Sequence, residues 1–210
     1  MRVRLALALL AVVLLVSACS VTKGSGQVVT ETREVSGFTK VELSGSAELT
    51  VEKTGTESLS ISAEDNLLPQ LTSDVSGDTL ILGTKPNTSI LPTKPITYSV
   101  TVTDLTGLAV SGSGSVRVSN LMTNSLTTKI SGSGTITASG AVNDQDVDIS
   151  GSGRYQAEQM TSKAVKTQIS GSGTASVLAP ICSTSRSAAA GRSLTVGTRR
   201  SRKRSAALGS

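Results

Sequence analysis

The chain has 210 residues, and its composition limits the chemistry that it can perform. It contains no His and no Trp, and aromatic residues make up 1% of it. The lack of His removes the commonest general base, the usual partner of a nucleophilic Ser or Cys, and the commonest metal ligand. The net charge of +5 comes from the termini, because residues 19–185 hold fifteen acidic and eleven basic side chains. The body of the chain is therefore mildly acidic.

Residues 1–18 have the pattern of a signal peptide, with two arginines, an apolar run from Leu5 to Val16, and small residues after it. A membrane-spanning helix needs about 20 apolar residues, and this apolar run is shorter. The four residues that end at Cys19, VSAC, resemble a bacterial lipobox, in which the Cys is acylated and becomes the mature N-terminus. We therefore expect an exported lipoprotein that is anchored in a membrane of the cell envelope through Cys19. Residues 19–27 are predicted to form a flexible tether.

Apolar and polar residues alternate from Val28 to Val102, for example in SLSISAE and ITYSVTVT. A period of two residues indicates strands with one buried face. Between these strands, a single helical turn is expected after Asp65, and Pro69 limits its length.

A five-residue motif recurs in the second half of the chain, as VSGSG at residues 110–114 and as ISGSG at residues 130–134, 149–153 and 169–173. Repeats at a fixed period are typical of solenoids. The predicted fold class is all-β, a right-handed parallel β-helix with rungs of about 20 residues. Stacking the units predicts the buried columns Val110, Ile130, Ile149 and Ile169; Val116, Ile136, Tyr155 and Ala175; Val118, Ala138, Ala157 and Val177; and Leu121, Ala141 and Met160.

The glycines of the motif are predicted to be structural turn residues, because Gly accepts a positive φ and lets neighbouring backbones approach closely. Phosphate binding is not favoured, since the third glycine of G-x-G-x-x-G and a following Gly-Lys-Ser/Thr are both missing. The turn glycines are Gly112, Gly114, Gly132, Gly134, Gly151, Gly153, Gly171 and Gly173.

The stretches VSGFTKVELSGSAELTV and AEDNLLPQL, with the repeated ISGSG, resemble the bacterial family called putative auto-transporter adhesin, head GIN domain. The resemblance runs from about Val28 to Val177, so residues 28–178 are taken as one domain. It implies an exported, often lipid-anchored β-helix. It implies no catalytic residues.

Residues 179–210 form a low-complexity tail, which from residue 186 onward holds seven Lys or Arg and no acid. Permitted codons for residues 184–209, read from the third base of the Thr184 codon, encode VEVSGSGSVTYRGNPAVTQEISGTG, which restores the motif. We therefore predict a reading-frame shift near residues 179–182 and a disordered tail beyond about Leu178. Neither Cys182 nor the basic run at residues 198–204 is then expected to have a function.

Two sets of charged residues are candidate sites. Carboxylates on alternate positions of one strand offer oxygen ligands for Ca²⁺, but the glycine and distal Glu of a calcium loop are missing, so a solvated face and no metal are expected. The basic residues of the repeats are scattered among rungs without an acid–base pair, so we expect neither a cofactor nor an enzyme. The carboxylates are Asp144, Asp146 and Asp148, and the basic residues are Arg117, Lys129, Arg154 and Lys166.

These observations predict a non-catalytic module of the cell envelope that binds an envelope or extracellular glycan or protein, or acts as a rigid spacer. Adhesion is the nearest analogy, and an exported protein is not expected to bind nucleic acid. Two alternatives stay open: a carbohydrate-binding or polysaccharide-cleaving β-helix, and a component of envelope signalling or stress responses.

Overall fold

The computed structural model describes residues 21–178 and the backbone of residues 183–188 and 193–197. These residues form sixteen strands and a short 3-10 turn, Leu68–Gln70, which is the turn expected after Asp65. No helix in the described part of the chain is long and apolar enough to cross a membrane. The strands are β1 Val21–Lys23, β2 Val28–Arg33, β3 Lys40–Gly45, β4 Glu48–Lys53, β5 Ser58–Glu64, β6 Leu71–Ser76, β7 Thr79–Thr84, β8 Ser89–Leu91, β9 Thr97–Val102, β10 Gly107–Gly112, β11 Ser115–Gly132, β12 Thr135–Gly151, β13 Arg154–Gly171, β14 Thr174–Leu178, β15 Ser183–Ala188 and β16 Ser193–Gly197.

The strands form one mixed, nearly closed sheet of fourteen strands and a separate pair, β1–β8. The all-β class is thereby confirmed. Strands β10 to β14 pair in parallel, but β2–β5, β5–β9 and β6–β7 are antiparallel, so the sheet is not parallel throughout. The β6–β7 connection shows why, since two residues, Gly77 and Asp78, suffice for a hairpin, whereas parallel neighbours need a longer crossover.

Apolar columns fill the interior. Val110 pairs with Ile130, Ile130 with Ile149, and Ile149 with Ile169, and all four side chains are buried, as the repeat predicts. The predicted column of Leu121, Ala141 and Met160 is wrong at one position. Gly140, not Ala141, pairs with Leu121 and Met160, because a register shift precedes it. Ala141 is exposed.

The motif turns bring successive backbones very close together. Gly132 has a φ of +112°, and a Cβ there would lie 2.6 Å from the Gly112 oxygen of the preceding turn. The second glycine has a different constraint, since a Cβ at Gly134 would lie 2.5 Å from Cγ1 of the buried Val110. The first glycine therefore permits the turn, and the second leaves room for the apolar column.

Residues 21–27, predicted as a flexible tether, are instead bound to the body of the protein; we call them the strap. Strand β1 pairs with β8, and Gly24 N donates to Leu91 O at 3.0 Å. Asn66 Nδ2 donates to Lys23 O at 2.8 Å, and its Oδ1 accepts from Ser25 N at 3.0 Å. The polar composition of the strap suggested flexibility, but its backbone groups have partners far along the chain.

A buried carboxylate, Glu64, fastens the strap. It is 1% exposed and accepts hydrogen bonds from Gly26 N at 2.7 Å, Thr93 N at 2.8 Å and the Thr93 hydroxyl at 2.5 Å. A Cβ at Gly24 would overlap this carboxylate. The Thr93 hydroxyl bond lowers the pKa of Glu64 against the opposing effect of desolvation. One ionised side chain thus joins the strap to the loop after β8.

The disordered tail expected beyond Leu178 is wrong for two segments. Strand β15 pairs with β13 and β16 with β14, both in parallel, because the repeat period continues: Ile169 pairs with Ser187 and Thr174 with Ser193. The rest of the tail, including Cys182 and the basic run, lies outside the described residues, as do the signal peptide and Cys19. The reading-frame shift stays a prediction.

Tyr155 and Gln145 form a polar contact inside the apolar columns. The Tyr155 hydroxyl donates to Gln145 Oε1 at 2.9 Å, and both side chains are buried. Gln145 stands in a column between Leu126 and Val165, and its Nε2 has no partner among the described residues. Burial raises the pKa of the Tyr155 phenol. This contact satisfies one of the two polar ends of the buried amide.

We expect Gly132→Ala to lower the free energy of unfolding by about 3 kcal/mol, since it combines a strained φ with backbone overlap. Gly55→Ala is the matched control, because Gly55 has a φ of +89° and nothing within 4 Å of its Cβ position. The control should cost about 1–2 kcal/mol. Urea unfolding measures both values, and equal losses would show that the turns do not limit stability.

Tyr155→Phe should destabilise the protein by about 1–3 kcal/mol, because it leaves the Gln145 carbonyl buried without a donor. Tyr98→Phe is the control, since Tyr98 is also buried but its hydroxyl makes no hydrogen bond to another described residue and is not among the fully buried polar atoms, so that it reaches solvent. That change should stay within about 0.5 kcal/mol. Thermal unfolding at neutral pH compares the two, and an unaffected Tyr155→Phe variant would contradict the assigned bond.

Glu64→Gln should loosen the strap, because a neutral amide cannot accept from all the donors that face Glu64. The lowered pKa of Glu64 means that its contribution is present above the unfolded-state value of 4.5 and is lost on acidification below it. We therefore expect the protection factor of the Gly26 amide, its exchange rate relative to the intrinsic rate at the same pH, to fall in the variant near neutral pH, and in the wild type only in acid. Gly55 is the reference amide. Unchanged exchange at Gly26 in the variant would contradict the clamp.

Candidate functional site

A groove of about 740 Å³ crosses neighbouring strands of the sheet. We call each of the long strands β11, β12 and β13, together with its motif turn, a coil. One end is formed by Lys53, the last residue of β4, with Asp104 and Thr106 from the connection between β9 and β10. The floor comes from equivalent segments of three long strands: residues 122–125 of β11, 141–143 of β12 and 161–163 of β13.

Register shifts place these segments at the surface. The pairing of β11 with β12 shifts between Val118 and Leu121, and the pairing of β12 with β13 shifts between Thr137 and Ser139. Such irregularities bend strands and redirect side chains. Asn120 has a φ of +55°, a conformation that Asn tolerates better than most residues. Beyond the shift, Met122 pairs with Ala141, which in turn pairs with Thr161.

Lys53 closes one end of the groove and is held there. Its Nζ donates to Asp104 Oδ1 at 2.7 Å and to Met122 O at 2.6 Å. The Lys53 bond lowers the pKa of the Asp104 carboxyl. Asp104, the only carboxylate that lines the groove in the described residues, is therefore ionised and paired.

The rest of the groove offers neutral hydrogen-bonding groups around one exposed thioether. Asn143 Nδ2 donates to Asn124 Oδ1 at 3.0 Å, so these amides form a ladder between neighbouring coils. Hydroxyls of Thr123, Ser125, Thr161 and Ser162 flank this ladder, and Lys163 is the exposed cation in the third coil. Met122 is 70% exposed. The surface can bind a hydroxylated or partly anionic ligand through several weak contacts.

The aspartates singled out from the sequence do not assemble a metal site. Asp146 pairs with Lys166 Nζ at 2.9 Å. Asp144 is exposed and Asp148 is half-buried. In residues 21–178, no group of three or more Cys, Asp or Glu side chains is placed to hold a metal ion.

The basic residues of the repeats also stay apart from the groove. Arg117, Lys129, Arg154 and Lys166 are all exposed, and none lines it. Lys129 instead borders a smaller hollow of about 300 Å³ next to Gly107. Lys53, Asn124 and Asn143 were not predicted as site residues from the sequence. A signal for the two amides was available, because they stand 19 residues apart at equivalent positions of two units.

Solved structures share this fold at low sequence identity. A protein described as a putative adhesin from Bacteroides fragilis has a TM-score of 0.61 and 18% identity, covering 84% of this chain and 96% of its own. A putative adhesin from Parabacteroides distasonis has a TM-score of 0.53 and 17% identity, covering 86% and 100%. A putative lipid binding protein from the same species has a TM-score of 0.52 and 19% identity, covering 85% and 97%.

Comparison with curated proteins gives no significant match. The profile of a protein family, by contrast, matches residues 37–197, which is more than half of the chain. The match covers strands β3 to β16 and the motif turns. The chain belongs to the family described as "Putative auto-transporter adhesin, head GIN domain".

Proposed function

We propose that this chain is a non-catalytic, adhesin-like binding module of the bacterial cell envelope, and that the groove is its binding face. Family membership supports the adhesin-like role and export to the cell surface. The groove is the observation that carries the proposal, because it presents amides, hydroxyls and the exposed Lys163 across three neighbouring coils. Such a face suits a ligand with many hydroxyl groups, and a glycan is the simplest one.

The finer fold in this proposal is a right-handed parallel β-helix. The parallel register of β10 to β14, at steps of one repeat, supports rungs of about 20 residues. A stack of this kind is stiff along its axis and repeats the same outward positions. The groove would then be a set of equivalent positions on three rungs, suited to a ligand that itself repeats.

Anchoring belongs to the same proposal. The signal peptide over residues 1–18 and the lipobox at Cys19 would deliver the protein to the envelope and attach it by acyl chains. Two or three chains give stable attachment, whereas one binds only marginally. The module would then act at a membrane surface.

Polysaccharide cleavage, the main alternative, has less support in the groove. Glycoside hydrolysis ordinarily uses two carboxyl groups about 5–10 Å apart. The described residues supply one carboxylate to the groove, Asp104, and it is already paired with Lys53. A binding face therefore fits the observed chemistry better than a hydrolytic one. The solved structure described as a putative lipid binding protein does not change this choice, since a likeness at 19% identity shows the fold alone.

We expect the purified protein to bind selected glycans on an array of neutral and anionic oligosaccharides. The double variant Asn124→Ala/Asn143→Ala should weaken that binding by about tenfold, the equivalent of one or two hydrogen bonds. Gln168→Ala, an exposed amide of β13 outside the groove, is the control and should bind as the wild type does. Equal binding by the double variant, or no glycan bound, would contradict the proposal, and release of reducing ends would favour cleavage.

A further inference from the structure

We infer that the outward face of the β1–β8 pair is a membrane-docking face, which rests on the anionic bilayer that holds the acylated Cys19. The face consists of Val21, Lys23 and Leu91, flanked by Lys85 and Lys94. The inference rests on the proposed acylation of Cys19 and goes beyond it, because an anchor alone does not decide which side of a protein meets the membrane.

The link between the acylated Cys19 and strand β1 is very short. Ser20 alone separates Cys19 from Val21, the first residue of β1, so the two Cα atoms are at most about 7 Å apart. The strap cannot extend to lengthen this link while Glu64 and Asn66 hold it. Acyl chains in the bilayer therefore bring β1 to the headgroup layer.

The side chains of this face suit that position. Val21 is 61% exposed and Leu91 is 56% exposed, which makes them two of the most exposed large apolar residues in the described chain. The parallel register sets Val21 beside Ser89 and Lys23 beside Leu91, so these four side chains share one face. Ile90, on the opposite face, packs against the core. Within the β1–β8 pair, the exposed apolar side chains therefore lie on the outward face.

The charge of the region is opposite to that of the body. From Thr79 to Thr103 the sequence holds Lys85 and Lys94 and no acid, and β1 adds Lys23. All three lysines are exposed. The acids that contact the strap, Glu64 and Asp65, accept hydrogen bonds from Gly26 and Ser25. Clustered lysines beside a lipid anchor are attracted to anionic headgroups, and salt screens that attraction.

This face lies at one end of the strand stack. Glu64, which holds the strap, ends β5, and the pairing path from there runs β5, β9, β4, β11, β12, β13. Along the axis of the proposed β-helix, these five steps, at about 4.8 Å each, amount to about 24 Å. The turn that follows β13, with Ser172, is therefore far from the docking face. A protein that rests on β1–β8 holds its last coils away from the bilayer.

Fluorescence quenching on the acylated protein tests the orientation. The full chain carries Cys182→Ser and a single cysteine labelled with a thiol-reactive fluorophore. The labelled cysteine is Leu91→Cys in one sample and Ser172→Cys in the other. The acylated proteins are reconstituted in vesicles of phosphatidylglycerol and phosphatidylcholine that contain a nitroxide-headgroup lipid. We expect several-fold stronger quenching at position 91 than at position 172. Equal quenching at the two positions would overturn the docking face.

The charge contribution is tested on the same vesicles. Lys23→Glu/Lys94→Glu should remove most of the difference in quenching between the two positions, as should phosphatidylcholine alone or high salt. Lys129→Glu/Lys163→Glu is the control with equal charge change and should keep the difference. An unchanged difference in Lys23→Glu/Lys94→Glu would also overturn the docking face. Mass spectrometry of the mature protein separates the two proposals: a protein without acyl chains overturns both the anchor and the docking face, and an acylated protein with equal quenching overturns the docking face alone.

Discussion

The structure depends on the close approach of successive turn backbones. Neighbouring strands lie about 4.8 Å apart, so every coil must repeat the turn of the coil before it with little room between them. The motif meets this constraint with a first glycine at positive φ and a second glycine whose missing Cβ leaves space for a Val or Ile. Because the turns coincide, the strands on either side stay in register, and the apolar columns follow from that register.

This constraint leaves few positions free to vary. Inward positions are mostly apolar and of complementary size, as where Tyr155 stands beside Ala175. The turn positions are Gly or Ser in all four copies of the motif from residue 110 onward. Chemistry that differs between coils is therefore confined to outward positions, and above all to the bend where the register shifts. There Asn124 and Asn143 are amides and Lys163, in the next coil, is a cation. The groove therefore lies where the repeat restricts the residue type least.

The parts of the fold that the sequence predicted are those set by local period. Alternation indicated the strands, and the repeat indicated the buried columns of Val110 and its equivalents. The column error at Ala141 arose because one unit is a residue shorter, and the position of a register shift depends on which backbone can approach, here at Gly140. The Ser44–Gly45 pair was missed as an earlier copy of the motif, although it pairs with Ser111 and Gly112, since Ala47 replaces the second glycine. Glu64 and the groove were missed because their contacts join residues distant in sequence: Gly26 with Glu64, and Lys53 with Asp104.

The two ends of the stack have different physical requirements, and this difference connects the fold to its proposed role. A repeating stack ends in strands that lack a neighbour, and such edges invite pairing with other chains. At the N-terminal end the antiparallel pairs, the strap and the Glu64 clamp cover or interrupt the repeat, and the lysines and apolar residues of β1–β8 face outward. Because the clamp is made by an ionised carboxylate with matched donors, the strap is fixed in place, and the proposed anchor at Cys19 would therefore have a defined direction. In the proposed role, a binding groove on a stiff stack would gain from that direction, since it would be held at a constant height above the membrane.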